Sequence, residues 1–421
     1  MLQSIRGMRD ILPVEARRFR HVENTLRRVL RGYAYEELQL PLLESTELFA
    51  RGVGEGTDIV EKEMYTLADR DGESITLRPE GTAGCVRALL QHGLLFNQTQ
   101  RVFYAGSMFR YERPQKGRYR QFQQVGAEAF GLPGPDVDAE LMALGRACWQ
   151  ALGVESLVRL EINTLGAPSA RAAYRAALVD YLTPHRDQLD ADSRRRLERN
   201  PLRILDSKDP ATQAILSGAP SLPEFIDDAS VAHFDTLKSV LTALGIPFVV
   251  NPRLVRGLDY YTQTVFEWVT DALGSQGAVC AGGRYDGLIE ELGGRPTPAA
   301  GFAIGLDRLV LLHELVAPDL ESAAADVYLC VLDTESLGWA LTLADKLRQS
   351  LPTFRIRVHA GGGKLKNQLK RADQSGARFA VLVGADEMAA GMPSLKYLRE
   401  DRAQESLDLP ALVRALTLAI D

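Results

Sequence analysis

The chain has 421 residues, of which 46% are apolar and 25% charged, with a formal net charge of −6. That length exceeds one ordinary domain and points to two or three. An acidic balance excludes a protein held to nucleic acid by bulk charge, so any such contact has to be local.

Residues 15–32, EARRFRHVENTLRRVLRG, predict a helix closed by Gly32. The following YEELQLPLLES reads as extended, with Pro41 favouring an edge or a strand end. Residues 77–93, LRPEGTAGCVRALLQHG, give a strand end, a turn at 79–81 and a helix with Thr82 as N-cap and an apolar stripe of Val86, Leu89 and Leu90. Two strand-like runs, 100–110 and 121–130, flank a cationic loop and predict a long antiparallel hairpin. A helix over 136–152 and a strand at LVRLEINTL follow. From about 168 to 230 the texture turns helical, charged and proline-interrupted, as in an inserted module. Strand character returns at IPFVV, YTQTVFEWV and GAVCAGG. Beyond 324 single helices alternate with apolar strands, predicting a separate domain with a small parallel or mixed sheet.

Cys85, Cys148, Cys280 and Cys330 lie far apart, no C-x-x-C pair occurs, and the six histidines are scattered. This predicts free thiols in a reducing compartment, with no structural metal and no disulfide framework. MLQSIRGMRDILP lacks an apolar signal core and no run of 18 apolar residues occurs, so a cytoplasmic protein without membrane attachment is expected. GVGEGT is not followed by a dinucleotide-binding pattern, and HAGGGK has Val358 where a P-loop needs its first glycine.

The loop between the hairpin strands carries Arg110, Arg113, Lys116, Arg118 and Arg120 in eleven residues, opposed only by Glu112. Period-two alternation puts Phe122, Gln124, Gly126, Glu128 and Phe130 on one face of the second strand. An amide and a carboxylate around a glycine suit a small polar ligand lying on the sheet, although a solvated strand face has the same pattern. Glu80 beside a helix start either favours the dipole or binds an ammonium group. Arg308 falls in the first turn of a helix, where a cation opposes the dipole and a phosphate would relieve it. LVRGLDYYTQTVFEW places Arg256, Asp259, Tyr260 and Tyr261 in a loop before a strand.

The run ending in Pro41, FRYE (109–112) and the glycine-rich strand leading to Arg308 resemble the three signature motifs of class II aminoacyl-tRNA synthetases. LRPEGT, MFRYERPQKGRYRQFQQVGAEAFG, NPLRILDSK, LVRGLDYYT and AGGRYDGL together resemble the histidyl-tRNA synthetase family, over essentially the whole chain. One departure is Asp307, where the family more often has glutamate; the shorter acid keeps the charge and changes the reach. The resemblance implies an α+β fold: an antiparallel sheet flanked by helices in a catalytic domain over 1–324, a helical insertion at about 168–230 and an α/β anticodon-binding domain over 325–421. It also implies a homodimer with Pro41 near its interface.

By the same resemblance, ATP with Mg²⁺, L-histidine and tRNA(His) are the expected substrates. Arg110 and Arg256 are the expected catalytic cations at the α-phosphate. Glu112, Arg118, Phe122 and Arg308 join Arg110 on ATP, with Phe122 stacking on adenine. Glu80 and Thr82 would take the histidine amino group, Gln124 and Arg256 its carboxylate, and Glu128 and Tyr261 the two ring nitrogens, with Tyr260 closing the pocket. Arg113, Gln115, Lys116 and Arg120 would meet the tRNA acceptor end. In the C-terminal domain GGGKLKNQLKR offers Lys364, Lys366, Lys370 and Arg371 to the anticodon, or is an ordinary solvated helix face. The segment 52–65 is expected to close over bound histidine, and no editing domain is expected. Two alternatives remain. One is a synthetase for another amino acid, against which Glu128 and LVRGLDYY count. The other is a non-catalytic relative regulating ATP phosphoribosyltransferase; such chains lack the C-terminal domain and lose the LVRGLDYYT loop, whereas both are present here.

Overall fold

The computed structural model describes residues 2–255, 257–274, 277–318 and 323–418. Two compact units divide the chain, Met1–Pro318 and Asp319–Asp421.

The first unit opens with α1 (Pro13–Gly32), whose Phe19, Val22, Leu26 and Leu30 form one buried stripe, the spacing of a helix lying on a core. Next come β1 (Glu36–Glu37), β2 (Leu43–Ser45), α2 (Thr46–Val53), a π turn at Ile59–Glu63, β3 (Tyr65–Ala68), β4 (Ser74–Leu77) and α3 (Thr82–Gln91). The run around Pro41 is therefore not one strand. It divides between two sheets, and the Arg78 guanidinium donates to the Leu40 carbonyl at 3.0 Å and the Pro41 carbonyl at 3.3 Å. Proline has no N–H for a ladder, so a side chain takes up the carbonyls at the crossing point.

The expected hairpin is present as β5 (Gln100–Phe109) and β6 (Gln121–Phe130), followed by α4 (Pro135–Ala151) and β7 (Arg159–Thr164). After β7 the chain turns helical, with α5 (Pro168–Leu182), α6 (Ala191–Arg199), α7 (Pro210–Leu216) and intervening 3₁₀ turns. Then come α8 (Asp228–Ala243), β8 (Phe248–Val250), β9 (Thr262–Val269), β10 (Ala278–Arg284), α9 (Leu288–Glu291), β11 (Ala299–Gly305) and α10 (Leu306–Val316).

An eight-stranded sheet runs β1-β5-β6-β11-β10-β9-β7-β8. Its neighbours from β5 to β7 are antiparallel, and β1 and β8 add in parallel at the edges. Alternation sorts its side chains into two cores. Phe103, Val125, Ala127, Phe266, Trp268 and Phe302 pack with α1, α4, α8 and α10 on one face. Val102, Tyr104, Met108, Phe130 and Val265 meet residues of α3, α5 and α9 on the other. Burying each large side chain contributes about 1.5–3 kcal/mol, so a one-residue slip in β6 would exchange two cores at once. That fixes which side chains of β6 face the second layer.

The second unit contains β12 (Val327–Val331), α11 (Leu337–Ser350), β13 (Ile356–Val358), α12 (Leu365–Gln374), β14 (Phe379–Val383), α13 (Ala385–Ala390), β15 (Ser394–Tyr397), β16 (Glu405–Ser406) and α14 (Leu409–Leu418). Its mixed sheet runs β13-β12-β14-β15-β16, parallel through the first three. Every residue of β12 and β14 is buried, as expected of central parallel strands covered on both faces.

Candidate active site

A cavity of about 250 Å³ opens on the α3 side of the large sheet. Its walls carry Glu80, Thr82, Arg110, Glu112, Arg118, Phe122, Gln124, Glu128, Tyr260, Tyr261 and Arg308, side chains drawn from five separate stretches of sequence. The hairpin register explains the floor. Gln124 lies opposite Gly106 on β5 and Gly305 on β11, and Glu128 lies opposite Gly301. A Cβ on Gly301 would come within 1.7 Å of Glu128 Oε2, so only glycine there lets the carboxylate lie across the neighbouring strand.

Glu128 is buried and accepts three hydroxyl donors: Thr82 at 2.7 Å, Tyr104 at 3.2 Å and Tyr285 at 2.6 Å. Burial and the nearby Glu80 push its carboxyl up to about 8, although the three hydroxyls pull the other way. Glu80 accepts from the backbone N–H groups of Thr82 at 2.6 Å and Ala83 at 2.9 Å, and burial raises it as well. This corrects the expected cap. Thr82 is the first helical residue rather than the N-cap, because its hydroxyl turns into the sheet toward Glu128 and leaves the open amides to Glu80. Gln124 Oε1 is buried with no hydrogen-bond partner among the described residues. A buried acceptor of that kind costs about 1–3 kcal/mol unless something binds it.

The other end of the cavity is cationic. Arg110 donates from Nε to the Pro79 carbonyl at 2.8 Å and lies 5.4 Å from the Phe122 ring centre. Arg308 donates to the carbonyls of Ala278 at 2.6 Å and Gly117 at 3.3 Å, and Arg118 pairs with Glu112. Burial, then repulsion from Arg118 and Arg110, lowers the proton affinity of Arg308. Three guanidiniums near enough to repel one another are an arrangement that a polyanion would relieve. Asp307 anchors this end: it accepts from Gln123 N at 2.8 Å and pairs with Arg9 at 3.3 Å. The shorter acid thus ties the β6 start to α10 and to the N-terminal segment.

Tyr260 and Tyr261 are buried, with ring centres 4.7 Å apart, and Tyr260 lies 5.5 Å from Tyr285. Arg256 lies outside the described residues. At the hairpin tip Gln115 and Arg118 exchange backbone hydrogen bonds across Lys116 and Gly117, a two-residue turn in which Gly117 takes φ +74°. Arg113, Gln115 and Lys116 are exposed there. Arg120 is half-buried behind them: it donates to the Glu112 carbonyl at 3.1 Å and lies over the Tyr111 ring at 3.6 Å. Sequence reasoning missed Tyr104 and Tyr285 as partners of Glu128. The signal for Tyr104 was available in the hairpin pairing, which sets it opposite Gly126.

Residues 7–309 match the family model for histidyl-tRNA synthetase. The chain belongs to the histidyl-tRNA synthetase family. Residues 326–417 match the model for an anticodon binding domain. The histidyl-tRNA synthetase of S. aureus is similar at 34% identity and TM-score 0.80, over 99% of this chain and 100% of that one. The one from Nostoc sp. PCC 7120 shares the fold at 22% identity and TM-score 0.73, over 100% of both chains. A Bacillus halodurans C protein described as ATP phosphoribosyltransferase regulatory subunit/histidyl-tRNA synthetase shares it too, at 23% identity and TM-score 0.66, over 91% of this chain and 99% of that one. The expected α+β fold, with its antiparallel-dominated sheet and second, anticodon-binding-type unit, is therefore the one this histidyl-tRNA synthetase family member has.

Proposed function

We propose that this chain activates L-histidine with MgATP to histidyl-adenylate and pyrophosphate, then transfers the histidyl group to the 3′ end of tRNA(His). The observation that carries the reading is the cavity itself, with a buried Glu128 ringed by hydroxyls at one end and Arg110, Arg118 and Arg308 at the other. The first end suits a ring with one N–H to give; the second suits a triphosphate.

In the first step a histidine carboxylate oxygen forms a bond to the α-phosphorus while the bond to the bridging oxygen breaks, and pyrophosphate leaves. The nucleophile is already ionised at neutral pH, so no general base is required. Alignment and positive charge are what lower the barrier. Arg110 serves the α-phosphate together with Arg256, Arg118 and Arg308 serve the outer phosphates, and Phe122 and Glu112 the adenine. Glu128 accepts from one ring nitrogen and Tyr261 serves the other, with Tyr260 closing the wall. Glu80 and Thr82 take the amino group, and the open amide of Gln124, with Arg256, takes the carboxylate. Mg²⁺ accompanies the ATP phosphates as part of the substrate.

Arg113, Gln115 and Lys116 at the exposed tip are the proposed acceptor-end contacts, with Arg120 shaping the loop behind them. Exposed Leu42 and Leu43, which follow Pro41, support a homodimer through that face. Its proposed site of action is the cytoplasm; among the described residues no helix is long and apolar enough to cross a membrane. The rival reading, a regulatory relative without activity, is favoured by the doubly described Bacillus halodurans C fold match. Against it stands the tyrosine-bearing loop; the second unit does not discriminate, since that match covers 91% of this chain and extends beyond the first unit. Pyrophosphate exchange into ATP, with each of the twenty amino acids in turn and no tRNA, decides between them: exchange with histidine alone is expected, and no exchange from folded protein sinks the proposal.

A further inference from the structure

The loop that carries Tyr260 and Tyr261 has no helix or strand among its described residues, 251–255 and 257–261. Its backbone must be held by something else if the two rings are to form a pocket wall. Part of the support comes from the core, where Asp259 N donates to the Val53 carbonyl at 3.2 Å and Asn163 Nδ2 to the Leu254 carbonyl at 3.0 Å. The rest comes from the helical segment between β7 and α8. Arg171, on the first turn of α5, donates through Nη1 to the carbonyls of Asp259 at 2.6 Å and Tyr261 at 3.2 Å, and through Nη2 to Asp259 Oδ1 at 3.4 Å. Asn200, just after α6, donates to the same carboxylate oxygen at 3.2 Å. Gly166, just before α5, accepts from Gln263 N at 2.9 Å, and Leu165 N donates to the Gln263 carbonyl at 2.7 Å. Gln263 has φ +50°, a strained conformation for a side-chain-bearing residue that persists only where neighbours enforce it.

The same segment reaches the stretch after α2. Arg196 and Arg203 each lie 3.6 Å from Asp58. Gly54, at φ +102°, has room only for a hydrogen, because a Cβ there would come within 2.8 Å of Asp259 Oδ2; a Cβ on Gly257 would come within 2.5 Å of Arg203 Nη1. Two half-buried carboxylates, Asp58 and Asp259, are thus both met by basic or amide side chains of the helical segment. Each contact alone is ordinary packing. Their convergence on one loop that has no helix or strand among its described residues, at both main-chain and side-chain level, is not.

We infer that the helical segment is a working part of the amino-acid pocket, with Arg171 and Asp259 as positioning residues that latch the Tyr260–Tyr261 loop in its recognition geometry. The consequence for histidine rests on the function proposed above; the latch itself does not. Anything that lifts the helical segment loosens the pocket wall while leaving the cationic end of the cavity as it was.

Arg171→Met keeps the volume of the side chain and removes its donors. In the full chain, amide hydrogen exchange over 257–263 should then quicken about tenfold or more, with peptides of β5 and β6 unchanged. In pyrophosphate exchange the KM for histidine should rise about tenfold and that for ATP stay within about twofold. Arg171→Lys should recover part of both, since one ammonium reaches a carbonyl without the two-pronged geometry. Should Arg171→Met fail to fold, Asp259→Asn, which leaves both carbonyl contacts, carries the test with smaller shifts in the same direction. Unchanged amide exchange over 257–263 in a folded variant overturns the latch, whether or not the protein activates histidine. Faster amide exchange with an unchanged histidine KM overturns its part in recognition. Wild-type protein that exchanges pyrophosphate with no amino acid overturns the proposed function instead, and the amide-exchange result still judges the latch.

Discussion

At Glu128 three hydroxyls favour the charge and complete burial opposes it, and burial prevails, holding the carboxyl near 8 against an ordinary 4.5. The folded protein therefore binds this proton more tightly than the unfolded chain does. The stability that follows is fully present below about pH 4.5 and is lost as pH rises through about 8. Glu128→Gln cannot lose it. Melting temperatures of variant and wild type, free of ligand, should diverge in the variant's favour from pH 5 to pH 9, by free energies on the order of a few kcal/mol. A pH-independent difference would mean that the carboxyl titrates normally. The same substitution should weaken histidine-dependent pyrophosphate exchange about 10- to 100-fold with ATP binding unchanged, since the carboxyl acceptor at the ring is lost. Equal loss for both substrates would remove Glu128 from ring recognition. Gly126 makes a second test of this site. A Cβ there would come within 2.3 Å of the Tyr104 ring, so Gly126→Ala should displace Tyr104 from Glu128 and cost about 1–3 kcal/mol in denaturant unfolding.

The segment from α2 through the π turn to β3 brings Ile59 to the cavity wall, and the Glu63 carbonyl accepts from Tyr111 N at 2.7 Å on the hairpin loop. It thus touches both the cavity and the hairpin loop that carries the cations. Lys62 on its outer side is exposed, which makes trypsin a direct probe. If the segment closes over histidine, cleavage after Lys62 should slow severalfold with histidine and ATP together and little with ATP alone. Equal cleavage rates in all conditions would argue against closure. What was legible in the sequence divides at this scale. The hairpin, the face carrying Phe122, Gln124 and Glu128, and the alternating second unit follow from periodicity, because each is set by local burial. The cap on α3 and the split run at Pro41 were not legible, since each is decided by a group distant in sequence: Glu128 draws Thr82 inward, and Arg78 takes the carbonyls at Pro41. Pairing of Tyr285 with Glu128 is likewise a product of sheet order, which no single stretch encodes.

Over the whole molecule the candidate site and the basic helix α12 belong to different units. Lys366, Lys370 and Arg371 on α12, with Lys364 just before it, are exposed, while Gln368 on the same helix turns inward and bonds both backbone groups of Val331, accepting at 2.9 Å and donating at 2.6 Å. Packing is therefore carried by the inner face and leaves the cations to solvent or to a phosphate backbone. In a chain of net charge −6 such a patch has to act locally, through released counterions rather than through the overall field. Replacing all four by alanine should leave the fold and histidine-dependent pyrophosphate exchange intact, because neither uses these groups. Charging of tRNA(His) should fall at limiting tRNA, and its dependence on salt should flatten by up to about four ion equivalents in the slope. Charging and salt slope unchanged from wild type would return this face to the role of an ordinary solvated helix and move the anticodon contact elsewhere in the second unit.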